Sequence, residues 1–332
     1  MAASPVVAVV DFAARGKSFG HLRVPRSRDD SGWGTELVPI VVVANGEGPT
    51  VLLTAGNHGD EYEGQVTLLD LARTLRPEEV RGRVILLPAM HYPACAAGKR
   101  LSPIDGRDFN RCFPGDPFGT FAPVLAHYVD SVLLPMCDVQ MDLHSGGTGM
   151  DILPSACGHA LDDPDMMRRT LEMADAFGAP ITMVLVEVNA GPTLLAQAER
   201  RGIVALSSEL GGGGRLNPEN LAITKRGARN VLRHAGVLEG MPEAGPYGAS
   251  RRMTIPDFSH YVFAPCDGIW EAADPLGATV AKGANAGQLH LTEDPSRDPI
   301  PLSYGASGLL WCVRFAGRLR AGDPVAVIAR DL

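Results

Sequence analysis

The chain has 332 residues, 45% hydrophobic and 20% charged, enough apolar material for a sizeable core and, at ordinary domain sizes, for two domains. Its net charge of -8, with no basic run denser than Arg26-Ser27-Arg28 or Arg251-Arg252-Met253, offers phosphates no electrostatic track and argues against a nucleic-acid partner. No stretch approaches the roughly 18 consecutive apolar residues of a membrane helix, and the opening residues lack the charged start and long apolar core of a leader. A cytoplasmic protein with no membrane partner is expected.

In chain order, Pro49 to Gly56 is an apolar, β-branched strand, and the segment from Asp60 carries Val66, Leu69 and Leu75 at helical spacing. Asp60 with Glu63 three residues on has the form of a capping box. Further along, 83–89, 137–144, 181–188 and 203–210 are strand-like, whereas 123–135, 163–178 and 191–202 are helix-like. Strands this uniformly apolar need both faces covered, and their alternation with helices predicts an α/β core with a central, mostly parallel or mixed sheet. Ligands of such sheets bind beyond the carboxyl ends of the strands, where His58, His91, His144 and Glu209 fall.

Past about Gly240 the composition changes. The connector 241–250 is rich in turn residues, and the remainder of the chain consists of short strands interrupted by Gly and Pro. Segments 277–289 and 317–328 share a Gly, a short run, a second Gly and an apolar strand, which predicts a small two-fold β barrel or sandwich over 245–332, after a first domain of 1–244.

Four polar elements interrupt the first region. His58 and Glu61 are His-x-x-Glu at a strand-to-helix junction, satisfied by a plain turn but also able to share one ion such as zinc. Asp142 and His144 lie two apart on one strand face, where the carboxylate can orient a ligating imidazole. Asp105 to Gly115, "DGRDFNRCFPG", is too polar for a core strand, and its Asn110 and Arg111 suit a carboxylate clamp as well as a surface loop. In "ALSSELGGGG", a strand delivers Glu209 into four glycines, either as a solvated terminus or as a general base, the glycines admitting substrate to the backbone. The six cysteines are scattered with no Cys-x-x-Cys, so they are read as incidental thiols; Cys112 is noted only for its place beside Arg111.

In this order and spacing the four elements resemble the succinylglutamate desuccinylase/aspartoacylase family of zinc carboxypeptidase-like enzymes, over about Val38 to Gly240. The resemblance implies one zinc per chain on His58, Glu61 and His144, with Asn110 and Arg111 holding a substrate α-carboxylate and Glu209 as base. It also implies an arginine that polarises the scissile carbonyl, with Arg100 preferred over Arg107. "SPIDGRDFNRCFPG", "GNHGDEYEGQ" and "DLHSGG" are most similar to the ectoine-degradation branch, which deacetylates N-α-acetyl-L-2,4-diaminobutyrate. The tail from about Pro246 resembles the family's small β domain, itself similar to biotinyl and lipoyl carriers. It lacks a Met-Lys-Met-like hairpin, so Lys282 is not expected to carry a group.

The expected activity is therefore removal of a short acyl group from an N-acyl amino acid. Rival readings are a deacylase of N-acetylaspartate or N-succinylglutamate type, a metallocarboxypeptidase, and an inactive zinc-binding module, the last disfavoured because every ligand type and the base are present. His21, His91, His127, His159, His234, His260 and His290 are read as surface or structural, with His91 the one candidate for a contact near the site. Self-association is left open.

Overall fold

The computed structural model describes residues 3–186 and 191–332. The last residues of the strand expected over 181–188, Glu187 and Val188, lie outside the described residues. The first region contains β1 (Val7–Ala8), β2 (Gly16–Pro25), β3 (Thr35–Asn45), β4 (Thr50–Ala55), α1 (Tyr62–Thr74), β5 (Gly82–Leu87), α2 (Tyr92–Ala97) and α3 (Phe121–Tyr128). It continues through β6 (Val139–Leu143), β7 (Met150–Ile152), β8 (Ser155–His159), α4 (Pro164–Phe177), β9 (Ile181–Leu185), α5 (Leu194–Arg200), β10 (Val204–Glu209) and α6 (Pro218–His234).

The local chemistry accounts for these limits. α4 and α6 each begin with a Pro behind an Asp163 or Asn217 whose side-chain oxygen accepts from the first free backbone N–H groups, and α4 stops at Gly178 in the left-handed conformation. α3 runs on as a π turn over Val129–Leu133 and a 3-10 turn over Leu134–Met136, so the helix expected over 123–135 is present with its second half irregular.

The central sheet runs β1-β2-β3-β5-β4-β6-β10-β8-β9 and then through β11 (Arg251–Thr254) into strands Pro324–Asp331 and Gly308–Arg314. β5, β4, β6 and β10 are mutually parallel, as are β8, β9 and β11, while β10 against β8 is antiparallel. Every residue of β4 is buried because helices cover both faces. One layer packs α1, α4 and α6 through residues such as Leu68, Leu71, Phe177 and Val231. The other packs α3, α5 and the Phe109/Phe113 turn against Leu52, Ile85 and Ala205.

After the connector, the expected pseudo-repeat is visible as two short strands, Thr279–Val280 and Arg318–Leu319, each followed by a positive-φ Gly and a longer strand. The partners alternate. Thr279–Val280 joins the large sheet and Asn285–His290 a separate four-stranded sheet, whereas Arg318–Leu319 joins the small sheet and Pro324–Asp331 the large one. The two sheets close over Trp270, Leu289, Leu310 and Val325. Backbone hydrogen bonds of the main sheet thus cross the connector, through β9 to β11 and β7 to Gly308–Arg314. No helix among the described residues is long and apolar enough to cross a membrane.

Candidate active site

β4, β6 and β10 are neighbours in the sheet and parallel, so their carboxyl ends open on one place. Those ends deliver His58, His144 and Glu209. The chain leaves β4 through Gly56, at φ 66°, which turns it back sharply enough to set His58 over the strand end and to start α1 behind Glu61. The expected capping box does not form. The Glu61 side chain makes no capping bond to its own helix but turns into the centre; Asp60 Oδ2 accepts from Thr148 N (2.8 Å) and Oγ1 (3.0 Å), and Glu63 Oε1 from Asn217 N (3.4 Å). In this buried first turn, donors on neighbouring loops and imidazoles replace the helix's own N–H groups.

Glu61 joins both histidines. Its Oε1 lies 2.7 Å from His58 Nδ1 and its Oε2 2.9 Å from His144 Nδ1, with Ser145 N also donating to Oε2 at 3.1 Å. The three side chains are buried, and their ligand atoms lie within 4.8 Å of one another. Each imidazole's other nitrogen is held by a carboxylate: His144 Nε2 by Asp142 Oδ2 at 2.7 Å, as the Asp-x-His spacing predicts, and His58 Nε2 by Asp108 Oδ1 at 3.1 Å. Asp142 is itself fixed by Thr54 Oγ1 (2.6 Å) and Asn57 Nδ2 (2.8 Å). This set of two Nδ1 atoms and one carboxylate, each distal nitrogen anchored, fits a divalent metal ion. Burial pushes the His144 imidazolium down, but Asp142 and Glu61 outweigh it and hold its pKa well above the ordinary value. Burial likewise acts to raise Glu61, and the two histidines overcome it and hold the carboxyl far below the usual range.

Asp108 was not singled out by sequence reasoning, although it lies in the quoted "DGRDFNR" run. Its other oxygen accepts from Arg100 Nη2 at 2.9 Å, so one carboxylate holds both a candidate ligand and the arginine. Arg100 stands 3.8 Å from Glu61 Oε1 and 3.4 Å from His58 Nδ1, whereas Arg107 is exposed and lines no part of the cleft. Asn110 and Arg111 do line it. Asn110 Oδ1 accepts from Leu194 N at 3.0 Å at the start of α5, which commits the amide oxygen and leaves its NH2 to donate. His91 is fully buried, stacked on Phe109 at 5.2 Å, and is absent from the cleft lining; burial lowers its pKa to about 4. It is a core residue stacked on the turn Phe109–Arg111.

Glu209 ends β10 inside the cleft with Oε2 buried and unpartnered. Burial, then the Glu61 charge, raise its pKa to about 7 against the opposing histidines and Arg100. The glycines after it serve a purpose other than the one expected. A side chain at Gly212, at φ 152°, would collide with Met150 O, and Gly146 N donates to Gly211 O at 2.8 Å. Their backbone lies against the 146–150 turn rather than being reserved for substrate.

Residues 47–235 match the succinylglutamate desuccinylase/aspartoacylase catalytic domain. A curated protein of Halomonas elongata, N-alpha-acetyl-L-2,4-diaminobutyric acid deacetylase, is 46% identical over 329 residues, covering 98% of this chain and 95% of its own length. The chain belongs to the succinylglutamate desuccinylase/aspartoacylase family. Among solved members of the family, a succinylglutamate desuccinylase/aspartoacylase from Rhodobacter sphaeroides is 49% identical with a TM-score of 0.94, covering 99% of this chain and 100% of its own. The product-bound ectoine utilisation protein EutE (DoeB) of Ruegeria pomeroyi is 40% identical with a TM-score of 0.96, over 99% and 100%.

In this family member the cleft has a volume of about 530 Å³ and draws part of its lining from beyond the connector, including Ile255, Tyr261, Trp311 and Pro324. Sequence reasoning gave these residues no role at the site. They reach it because Gly308–Arg314 pairs with β7 and because Trp311 Nε1 donates to Ser155 Oγ at 2.8 Å, contacts between residues more than 150 positions apart. A cleft of similar volume, about 510 Å³, lies at the amino ends of β4, β6 and β10, beside Pro49, Val139 and Val204, and holds none of the site residues.

Proposed function

We propose that this chain is a zinc-dependent, cytoplasmic amide hydrolase that removes the acetyl group from N-α-acetyl-L-2,4-diaminobutyrate in ectoine degradation. The geometry that carries the hydrolase reading is two imidazole Nδ1 atoms bridged by one buried glutamate, with an unpartnered carboxylate on the adjoining strand. The near full-length identity to the Halomonas elongata deacetylase and the likeness to EutE support the substrate. The cleft supports it too, since Arg100 and Arg111 are the only Lys or Arg residues among the described lining residues. With one at the centre and the other in the clamp, none remains for the second carboxylate of N-acetylaspartate or N-succinylglutamate.

His58, Glu61 and His144 would hold one zinc ion, which supplies a Lewis acid and acidifies water. Asn110 donates through its NH2 and Arg111 through its planar fork to the substrate α-carboxylate, fixing the amide over the centre. Glu209, with a pKa near neutrality, takes a proton from the attacking water and returns it to the departing amine. Arg100, tied by Asp108, faces the carbonyl oxygen as negative charge develops there. Asp108 and Asp142 fix the rotation and tautomer of the two imidazoles.

The test is a hydrolysis panel of N-acyl amino acids with metal analysis of the same preparation. About one zinc per chain, lost in His144→Ala, and the highest kcat/KM on N-α-acetyl-L-2,4-diaminobutyrate are expected. Full zinc in His144→Ala would refute the ligand set, and a higher kcat/KM on either acidic substrate would refute the substrate.

A further inference from the structure

Four aromatic side chains from beyond the connector, Phe258, Tyr261, Phe263 and Trp311, line the cleft. Tyr261 and Phe263 lie two apart on one short strand and so share a face; their rings are 5.8 Å apart and tilted by only 14°. Phe258 leans on Tyr261 at 6.0 Å. The strand is pinned by pairing with Pro324–Asp331, and Trp311 by its bond to Ser155, so the ring faces are set before any ligand arrives. Phe258 and Phe263 remain 53% and 42% exposed, large apolar surface left open at the cleft rather than packed into either core. The only carboxylates among the described lining residues are Glu61 and Glu209, both at the centre.

We propose that this aromatic wall is the subsite for the substrate side chain, and that the face of Tyr261 holds its ammonium group. The inference rests on the deacetylase reading above. There the α-carboxylate goes to Asn110 and Arg111 and the acetyl amide to the His-Glu-His centre, which leaves the side chain to the rest of the lining, whose aromatic part among the described residues is these four rings. A ring face carries the negative part of the aromatic quadrupole, so it attracts an ammonium and repels a carboxylate. One surface therefore selects a basic side chain and rejects an acidic one. Among the described residues it does so without placing a third carboxylate near Glu61 and Glu209, where repulsion would interfere with the base.

The experiment compares kcat/KM for N-α-acetyl-L-2,4-diaminobutyrate with that for N-acetyl-L-2-aminobutyrate, which lacks the side-chain amine, in the zinc-loaded wild type and in Tyr261→Leu, Tyr261→Phe and Phe263→Leu. Zinc content and melting temperature serve as folding controls. Wild type should prefer the amine-bearing substrate; Tyr261→Leu should lose about tenfold of that preference, mostly as a higher KM, and Tyr261→Phe should keep it because the ring face survives. Phe263→Leu, which removes the ring stacked on Tyr261, should lose a smaller part. An unchanged preference in Tyr261→Leu overturns the proposal, as does an equal loss in Tyr261→Phe, which would transfer the role to the hydroxyl. A wild type that hydrolyses both compounds without preference for the amine overturns the subsite alone, whereas one that hydrolyses neither overturns the deacetylase reading itself.

Discussion

Asp142→Asn isolates what a carboxylate behind a ligand contributes. Three donors converge on Asp142: His144 Nε2 and Asn57 Nδ2 on one oxygen and Thr54 Oγ1 on the other, at 2.6 to 2.8 Å. Asparagine can keep its one acceptor oxygen on His144 and Asn57 and turn its NH2 to the Thr54 hydroxyl, which accepts as well as donates, so at this site, 1% exposed, the substitution removes the charge with the least disturbance of the bonds. His144 then keeps an acceptor but loses the negative charge that makes its Nδ1 a strong donor. Partners of this kind typically contribute 10- to 100-fold in metal affinity, about 1.4 to 2.8 kcal/mol. The pH dependence sharpens the test. Asp142 and Glu61 raise the His144 pKa, so in the wild type a proton competes with zinc near neutrality; removing the Asp142 charge weakens that competition. The loss should therefore grow as pH rises and the wild-type His144 gives up its proton, and be smaller near pH 6. Competition titrations with a chelator at several pH values measure this, and equal zinc affinity of the two proteins at alkaline pH would refute the reasoning.

Four further outcomes are expected. Glu209→Gln should retain zinc and fold while kcat falls by about 10² to 10⁴, and near-normal turnover would make Glu209 a structural carboxylate only. In the wild type, kcat/KM should rise with pH as Glu209 ionises, with a limb at or below its metal-free value of about 7, because a bound cation can only lower it; a pH-rate profile with no such limb in wild type would remove Glu209 from the base role. Arg111→Lys should raise KM for carboxylated substrates, since an ammonium cannot reproduce the planar fork, yet leave an N-acyl amine without a carboxylate unaffected; unchanged KM for the former would place the clamp elsewhere. Finally, metal-free protein should lose thermal stability as pH rises above about 6.5, since below that the buried His91, with its pKa lowered to about 4, offsets the loss from Glu209. The folded pKa values of His144 and Glu209 are raised above ordinary values of 6.5 and 4.5, so their stabilising protons are present at low pH and are lost as pH passes through the folded values. Melting curves with chelator that stay flat over this range would contradict the assignment.

The ends of β4, β6 and β10 were legible because uniformly apolar strands stop abruptly at His58, His144 and Glu209, and because the period of two puts Asp142 on the face of His144. The positions that escaped are governed by distant partners. Asp108 reaches His58 across 50 residues, and nothing local marks it off from the other polar residues of its turn. The capping box at Asp60 and Glu63 had the right spacing, but donors on Thr148 and Asn217, distant in sequence, take up both carboxylates. The long β2–β3 hairpin went unannounced because its burial is irregular along β2 and its register is set by ten cross-strand pairs rather than by a local signal. Tyr261 and Trp311 are ordinary strand aromatics until the sheet brings them to the cleft.

The seam at β11 has a bearing on how this chain can be divided. Cutting within 241–250 would strip β11 from β9 and leave Ile181–Leu185, an apolar strand paired on its other side with β8, as an open edge. An uncovered strand of that composition is a template for edge-to-edge association with other copies. The last 80 or so residues therefore act as a stopper on the catalytic sheet as well as a wall of its cleft, and a truncated chain should precipitate rather than survive as a smaller enzyme.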